Sequence, residues 1–462
     1  MWVAGRRDWE EVMMVLARLR SRRWHGVLVA LFLATAILAT AILALGGWQV
    51  RQAARDTVTI QVWTPWTDTP DLNVWHKVVG MFEKAYPTIS VKLVPGADTT
   101  KTLTAISGGN PPDVFANWDA TFVGTWAHNG AVQDLTPLMA QAHIGPQIAP
   151  GYMNLVTIGS RHYALPYMGD GYMFVYNTAM FKAAHIARPP VTLEEMTADA
   201  YKLTKMDSSG HLKVIGYSPS YNGCCPSSNL PLLGDLFGGH WYDSKLGKVT
   251  ADDPANVRAL EWEMGFYKKY GAANINRFQG SFGSTYSPTD PFIQGRVAMG
   301  VMGEWEPIAF DRWGHHVPYA VAPIPYPKGH PEQAYSNWAT SSVMALPRGC
   351  KHPKEAWAFM TYLATTFKAQ MALANGIGNL PALKEGLRAG RLLTQSKLAV
   401  FANYLAHSRH VYSWPPLPIT QEYITRLSLD ESRALDGKMT AQQALQDVTA
   451  RMQPVLTKAL GH

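Results

Sequence analysis

Thr57-Val-Thr-Ile-Gln-Val-Trp-Thr-Pro-Trp-Thr-Asp68 is the stretch on which the fold turns. Its apolar residues alternate, which predicts a strand, and its exit is a loop carrying Trp63, Trp66 and Asp68. In an open α/β sheet, ligands bind outside the carboxyl ends of the strands. Two indoles and a carboxylate at such an end suit a polar molecule with apolar faces.

Outward from this strand the pattern alternates helix and strand. Asp71 is placed to cap a helix whose Val74, Val78, Phe82 and Ala85 share one face, and Pro87 stops it. Ile89, Val91 and Leu93 alternate as a second strand. Lys101 to Ser107 reads as a helix closed by Gly108-Gly109, with Pro111-Pro112 blocking its continuation. Asp113 to Ala116 is a third, short strand leading to Trp118 and Asp119. This β-α-β-α-β order predicts a largely parallel sheet covered by helices. A second unit begins near Tyr167, with a strand at Met173–Tyr176 and a capping box at Thr192-Leu-Glu-Glu195. Asp253-Pro254 and Pro353 open later helices, and Thr440 caps the last.

A chain of 462 residues exceeds one ordinary core, so two lobes are expected. The net charge of +7 is concentrated at one end: residues 1–55 hold eight Arg against three acidic residues. The remainder, with 33 basic and 31 acidic groups, argues against nucleic acid as a partner. Val27 to Leu45 is an unbroken apolar stretch long enough to span a bilayer. Six Arg precede it and two closely follow, which places the body outside the cytoplasm. The segment reads either as a retained anchor or as a cleaved signal. Three Cys make no disulfide framework, and whether adjacent Cys224 and Cys225 form a bond stays open. No metal site, cofactor or catalytic residue is expected: there is no phosphate-binding loop, no nucleophile elbow and no zinc-helix motif.

Several runs in order carry a family resemblance. They are Phe82-Glu-Lys-Ala-Tyr-Pro87, Gly109-Asn-Pro-Pro-Asp-Val114, Tyr176-Asn-Thr-Ala-Met-Phe-Lys182, Phe292-Ile-Gln-Gly-Arg-Val-Ala-Met299, Gly303-Glu-Trp305 and Asn379-Leu-Pro381. Together they resemble the extracellular solute-binding protein family 1, the maltose-binding-protein-like sugar-binding subunits of ABC importers. The resemblance spans roughly residues 57–455 and implies a two-lobed α/β periplasmic-binding-protein-like fold with interleaved lobes and a central cleft. Carried over, lobe one is 57–166 with 338–380, and lobe two is 167–335 with 385–460. The implied partners are a sugar or oligosaccharide and ABC permease subunits, with the chain a monomer at the outer face of the cell membrane. The family's lipid-modified Cys is missing here, so an N-terminal transmembrane helix would be the tether.

Sugars need planar side chains for their faces and carboxylates for their hydroxyls. The expected ligand-binding set is Trp63, Trp66 and Asp68 after the first strand, and Trp118 and Asp119 after the third. Asp170 and Tyr172 follow the first crossing between lobes. Glu304 and Trp305 occupy the family's Gly-x-Trp position, Trp338 and Ser341 the second crossing, and Trp414 a Pro-rich loop. Rival readings keep these residues. An extracellular glycoside hydrolase would need two facing carboxyls, for which Asp119 and Glu304 are the nearest pair. The same fold could hold an amine or glycerol phosphate instead.

Overall fold

A computed structural model describes residues 57–219, 221, 228–314, 317–394 and 397–461. The apolar segment Val27–Leu45, the Cys224-Cys225 pair and His315-His316 lie outside the described residues. Among the described residues, no helix is long and apolar enough to cross a membrane. Contacts divide the chain into two units, residues 1–58 with 87–90 and residues 59–86 with 91–462. What the first unit contributes to the description is Thr57–Val58, the turn at Pro87–Thr88 and the strand residues Ile89–Ser90. The second unit contains the elements that build the cavity.

The strands used below are β1 (Val58–Trp63), β2 (Ile89–Val94), β3 (Val114–Asn117), β4 (Leu165–Asn177), β5 (Met299–Gly303), β6 (Tyr319–Ala322), β7 (Ser336–Ala345), β8 (Leu380–Pro381) and β9 (His410–Tyr412). The helices are α1 (Thr69–Ala85), α2 (Thr99–Ser107), α3 (Leu230–Leu236), α4 (Pro254–Tyr270), α5 (Trp305–Trp313), α6 (Pro353–Thr365), α7 (Phe367–Ile377), α8 (Thr420–Leu435) and α9 (Ala441–Leu460). The main sheet runs β5-β4-β7-β3-β1-β2, with β6 and β8 on β4 and β9 on β7.

The expected α/β two-lobed fold is present, but the sheet is mixed rather than largely parallel. β1 and β3 pair in parallel at Val62–Val114, whereas β7 is antiparallel to both β3 and β4. The reason is β4 itself. It is 13 residues long, nearly all buried. Its first half pairs with β7 and β8 around Gly169, and its second half with β5 and β6 around Phe174. One strand therefore serves two sheet regions, and its middle, Gly169–Tyr172, lies where they meet.

Apolar packing ties distant sequence together. Trp75, Val78 and Phe82 of α1 are buried, and Phe82 meets Phe359 of α6 edge-on at 5.1 Å. Elsewhere Trp241 stacks on Trp414 at 6.0 Å, and the Tyr423 hydroxyl of α8 donates to the Trp241 carbonyl at 2.8 Å. α1 begins at Thr69, two residues before the expected cap, with Pro70 in its first turn and Asp68 at the cap position. Asp71 is buried within that first turn instead of capping it. α2 is capped by Asp98, which accepts from Lys101 N at 2.7 Å. The Thr440 capping box of α9 forms in both directions.

A buried acid pair holds α4 and α8 together. Glu431 accepts from the Ser228 hydroxyl at 2.8 Å and shares a hydrogen bond with Glu263. Burial pushes the Glu431 carboxyl up to about 7, against the lowering effect of those hydrogen bonds. The folded chain thus holds this proton more tightly than the unfolded chain, whose Glu titrates near 4.5. Stability is full below that value and falls as pH rises through about 7. Glu431→Gln is therefore expected to stabilise the protein by ~1–3 kcal/mol at pH 8 and by much less at pH 5. Thermal melts of both proteins across this range measure it; equal slopes would contradict the assignment.

Candidate ligand-binding cleft

A cavity of about 550 Å³ opens at the middle of β4. That lies within the ~300–1,000 Å³ usual for small-molecule sites. Loops after β1 and β3 supply Trp66, Asp68, Trp118, Asp119 and Thr121. β4 supplies Asp170 and Tyr172, and β7 supplies Trp338, Thr340 and Ser342. The start of α5 contributes Trp305, and the α7–β8 connection contributes Ile377 and Asn379. Asp71 of α1 and the loop residues Pro65, Thr67, Thr285 and Tyr286 complete the wall.

Indoles form two sides. Trp66, only 7% exposed, leans on Trp75 at 5.6 Å and on Tyr167 at 6.4 Å, so its ring is fixed by core packing. Trp118 meets it edge-on at 5.9 Å and is itself 53% exposed at the rim. Trp305 stands edge-on to Tyr172, with centroids 5.4 Å apart, and its indole N–H donates to Glu306 Oε1 at 3.1 Å. Gly303 explains that ring's place, since a Cβ there would collide with the six-membered ring of Trp305. Gly303→Ala is expected to tilt Trp305 and weaken ligand binding by about tenfold, the scale of one lost aromatic contact. Near-ultraviolet circular dichroism and titration calorimetry would register the two effects; an unchanged spectrum would refute the packing argument.

The carboxylates are held by short-range donors. Asp119 Oδ1 accepts from Thr340 Oγ1 at 2.9 Å and from Thr121 N at 2.8 Å, linking the turn after β3 to β7. Asp170 Oδ1 accepts from Asn379 Nδ2 at 2.6 Å. Burial, with the nearby Asp119 charge adding to it, raises Asp170 to about 7 despite hydrogen bonds from Glu304 and Asn379.

Arg312 of α5 reaches Asp68 at 2.9 Å and Asp71 at 3.3 Å, and also donates to the Tyr286 hydroxyl at 3.0 Å. Tyr286 holds φ +51°, a left-handed backbone uncommon for a side chain of its size. Asp71 rises to about 7 through burial first and then its neighbour Asp68, with Arg312 opposing. The Tyr286 hydroxyl is also pushed up, chiefly by burial.

Of the expected ligand residues, the cavity brings together Trp66, Asp68, Trp118, Asp119, Asp170, Tyr172, Trp305 and Trp338. Four lie elsewhere. Trp63 shares the strand face of Gln61, opposite the buried Ile60 and Val62; its indole N–H donates to Gln61 at 3.3 Å, and Lys101 covers its ring. Ser341 faces away from Thr340 and Ser342, as strand alternation requires, and donates to the Met168 carbonyl at 2.7 Å. Trp414 is buried between Trp241 and Tyr423. Glu304 sits beneath the floor, fully buried, accepting from Gly171 N at 2.9 Å and Asn379 Nδ2 at 3.1 Å. The hydrolase pair of Asp119 and Glu304 therefore does not face one shared space.

The sequence reading omitted Asp71, Thr121, Tyr286, Thr340, Ser342 and Asn379 from the site. Thr340 and Ser342 were within reach of the β7 alternation, and Asn379 stood in a motif already noted. Nothing local marked Tyr286 or the partnership of Asp71 with Arg312.

Residues 66–366 match the sequence profile of the family described as bacterial extracellular solute-binding protein. A putative binding protein of Brucella abortus is 22% identical over 398 residues, covering 83% of this chain and 90% of its own. A probable ABC transporter-binding protein of Deinococcus radiodurans is 25% identical over 226 residues, covering 46% of this chain and 50% of its own. Among solved structures, mannotriose-bound CpMnBP1 superposes with a TM-score of 0.76 at 25% identity, covering 85% of this chain and 99% of that one. Maltose-bound MalE3 of T. maritima shares the fold, with a TM-score of 0.70 at 20% identity over 86% of this chain and all of that one.

Proposed function

Because the chain belongs to the bacterial extracellular solute-binding protein family, we propose that its cleft binds a sugar or short oligosaccharide and that the protein delivers it unchanged to the permease of an ABC importer. One observation carries this reading. Indole planes from Trp66, Trp118 and Trp305 share a single cavity with Asp119 and Asp170, so ring faces and hydroxyls find partners together. The Deinococcus relative is named as an ABC transporter-binding protein, and CpMnBP1 was solved with mannotriose, which supports the same ligand class.

The lobes proposed are 57–166 with 338–380 and 167–335 with 385–460, joined where β4 and β7 cross. Ligand contacts to both lobes would drive closure, since a ligand shifts only the equilibrium whose two states it binds differently. The family is extracellular, and we place this protein at the extracellular face of the cell membrane, held by residues 27–45 if that segment is retained.

A second reading keeps the cleft and changes the ligand to an amine. Four carboxylates line the cavity while Arg312 is already shared by Asp68 and Asp71. That arrangement disfavours a phosphate, whose binding would need a free guanidinium, and leaves cation–π contact open to an ammonium. Thermal melts of the body from about residue 56 against mono-, manno- and malto-oligosaccharides and simple amines separate the readings. A ligand at ~100 times its dissociation constant adds ~2.7 kcal/mol of stability. A shift only with amines, abolished by salt, would replace the sugar. Cleavage of an oligosaccharide would replace transport with hydrolysis.

A further inference from the structure

The cavity floor carries two acids that touch one another. Asp170 is 2% exposed and Glu304 fully buried. Asn379 Nδ2 donates to both, at 2.6 Å and 3.1 Å, and Gly171 N donates to Glu304 at 2.9 Å. One amide nitrogen therefore holds the two carboxyl groups side by side. Two ionised carboxylates this close and buried repel one another strongly, so one of them keeps a proton. The titratable groups facing the pair are Asp119 from the turn after β3, Tyr152 from the helix Pro150–Leu155 and Tyr167 from β4. None of these supplies a positive charge. Loss of the proton would leave two like charges side by side in a site of low dielectric.

The proton belongs to Glu304. It lies beneath the floor, whereas Asp170 reaches the cavity wall. Burial and the Asp170 charge both hold the Glu304 acid well above the usual carboxylate range. The hydrogen bonds from Glu304 and Asn379 favour the charge on Asp170.

We propose that Glu304 is a positioning residue: held as the neutral acid, it donates to Asp170 and, with Asn379, presents the Asp170 carboxylate to the cavity as one charge-assisted acceptor for a ligand hydroxyl. The floor then carries one negative charge instead of two. Raising the pH removes the Glu304 proton, breaks the carboxyl–carboxyl bond and releases Asp170 from its aim. Above about pH 7, where Asp170 is ionised, affinity falls as pH rises.

The inference rests on the saccharide reading for its ligand but not for its proton, which allows the two to be tested apart. The first measurement is the infrared spectrum of the ligand-free protein at about pH 6. Wild type minus Glu304→Gln should show a protonated-carboxyl band; a difference confined to ionised carboxylate would overturn the proposal. The second is the pH dependence of affinity for mannotriose and maltotriose by calorimetry. Wild type is expected to lose about tenfold in affinity from about pH 8, where Asp170 is ionised and Glu304 keeps its proton, to about pH 10, the scale of one charge-assisted hydrogen bond. Glu304→Gln should flatten this profile, because its amide donates to Asp170 at every pH, whereas Glu304→Ala should bind weakly throughout. Identical pH profiles for wild type and Glu304→Gln would overturn the proposal while leaving the saccharide reading intact. A carboxyl band with no saccharide binding would instead uphold the proton and discard the ligand. Should Glu304→Gln not fold, Asp170→Asn takes its place. With the neighbouring charge gone, the Glu304 band must disappear at lower pH than in wild type, and its failure to do so counts against the proposal.

Discussion

Trp305→Ala is expected to weaken saccharide binding by about a hundredfold while leaving the fold in place. The ring is half-buried at the first turn of α5, stands edge-to-face with Tyr172 and lines the cavity, so part of it is open to a ligand. Truncating a central aromatic contact typically costs ~2–3 kcal/mol in binding, which is the hundredfold. The loss in folding stability should be nearer ~1 kcal/mol, because the ring packs against the core along only part of its surface. Calorimetry on both proteins reads the first number and urea titration the second. Trp63→Ala is the matched control: its indole lies on the far face of β1 beside Gln61 and Lys101, and binding should change by less than about twofold. Equal losses from the two substitutions would mean that the cleft has been put in the wrong place.

Arg312→Met should both open the unliganded protein and destabilise it in a pH-dependent way. Asp68 stands at the cap position of α1 and Asp71 in its first turn, while Arg312 and Tyr286 come from chain more than two hundred residues later. The ion pairs thus span the proposed lobes and favour their approach without ligand. The Arg312 side chain is 19% exposed and that of Asp71 3%, so screening is incomplete and the pairing is worth more than a surface contact. Removing the guanidinium leaves Asp71 buried beside Asp68. Asp71 is already raised to about 7 with Arg312 present, and without it the rise is larger. A carboxyl raised in the folded state contributes stability at low pH that disappears as pH climbs past its folded value. The variant should therefore lose ~2–4 kcal/mol relative to wild type at pH 8 and distinctly less at pH 5, where Asp71 takes up a proton. Melts at both values test the slope, and small-angle scattering without ligand tests the opening. A parallel pair of melting curves would show that Asp71 does not titrate in this range. An unchanged scattering profile would show that the ion pairs do not govern closure.

Local pattern carried most of the architecture. The alternation from Val58 to Trp63, the Pro87 stop and the Asp253-Pro254 start each correspond to an observed element boundary within a few residues. The family motifs led to Trp305, because a strand end and its following turn are encoded by neighbours in sequence; Asn379 stands in such a motif but its place in the cavity was not expected. The sheet's direction was less legible. Reading β1 to β3 alone predicts parallel strands, and only the long β4, paired antiparallel on both sides, makes the sheet mixed.

By itself, the sequence determined that this is a two-lobed α/β solute-binding protein and which strand ends supply aromatic and acidic side chains. The α/β order and the strand ends follow from periodicity and caps, and the two-lobed solute-binding reading from the family resemblance of ordered motifs, each of which is written in a few residues. Tertiary structure alone decided which side chains meet. It turned Ser341 away and Thr340 toward the cavity by the phase of one strand, and it sank Trp414 among Trp241 and Tyr423. It also joined Asp68 to Arg312 and set Glu304 against Asp170. Such partnerships arise when chain far apart in sequence is brought within a few ångströms and shielded from water, and burial of that kind is what gives a carboxyl its proton or its charge.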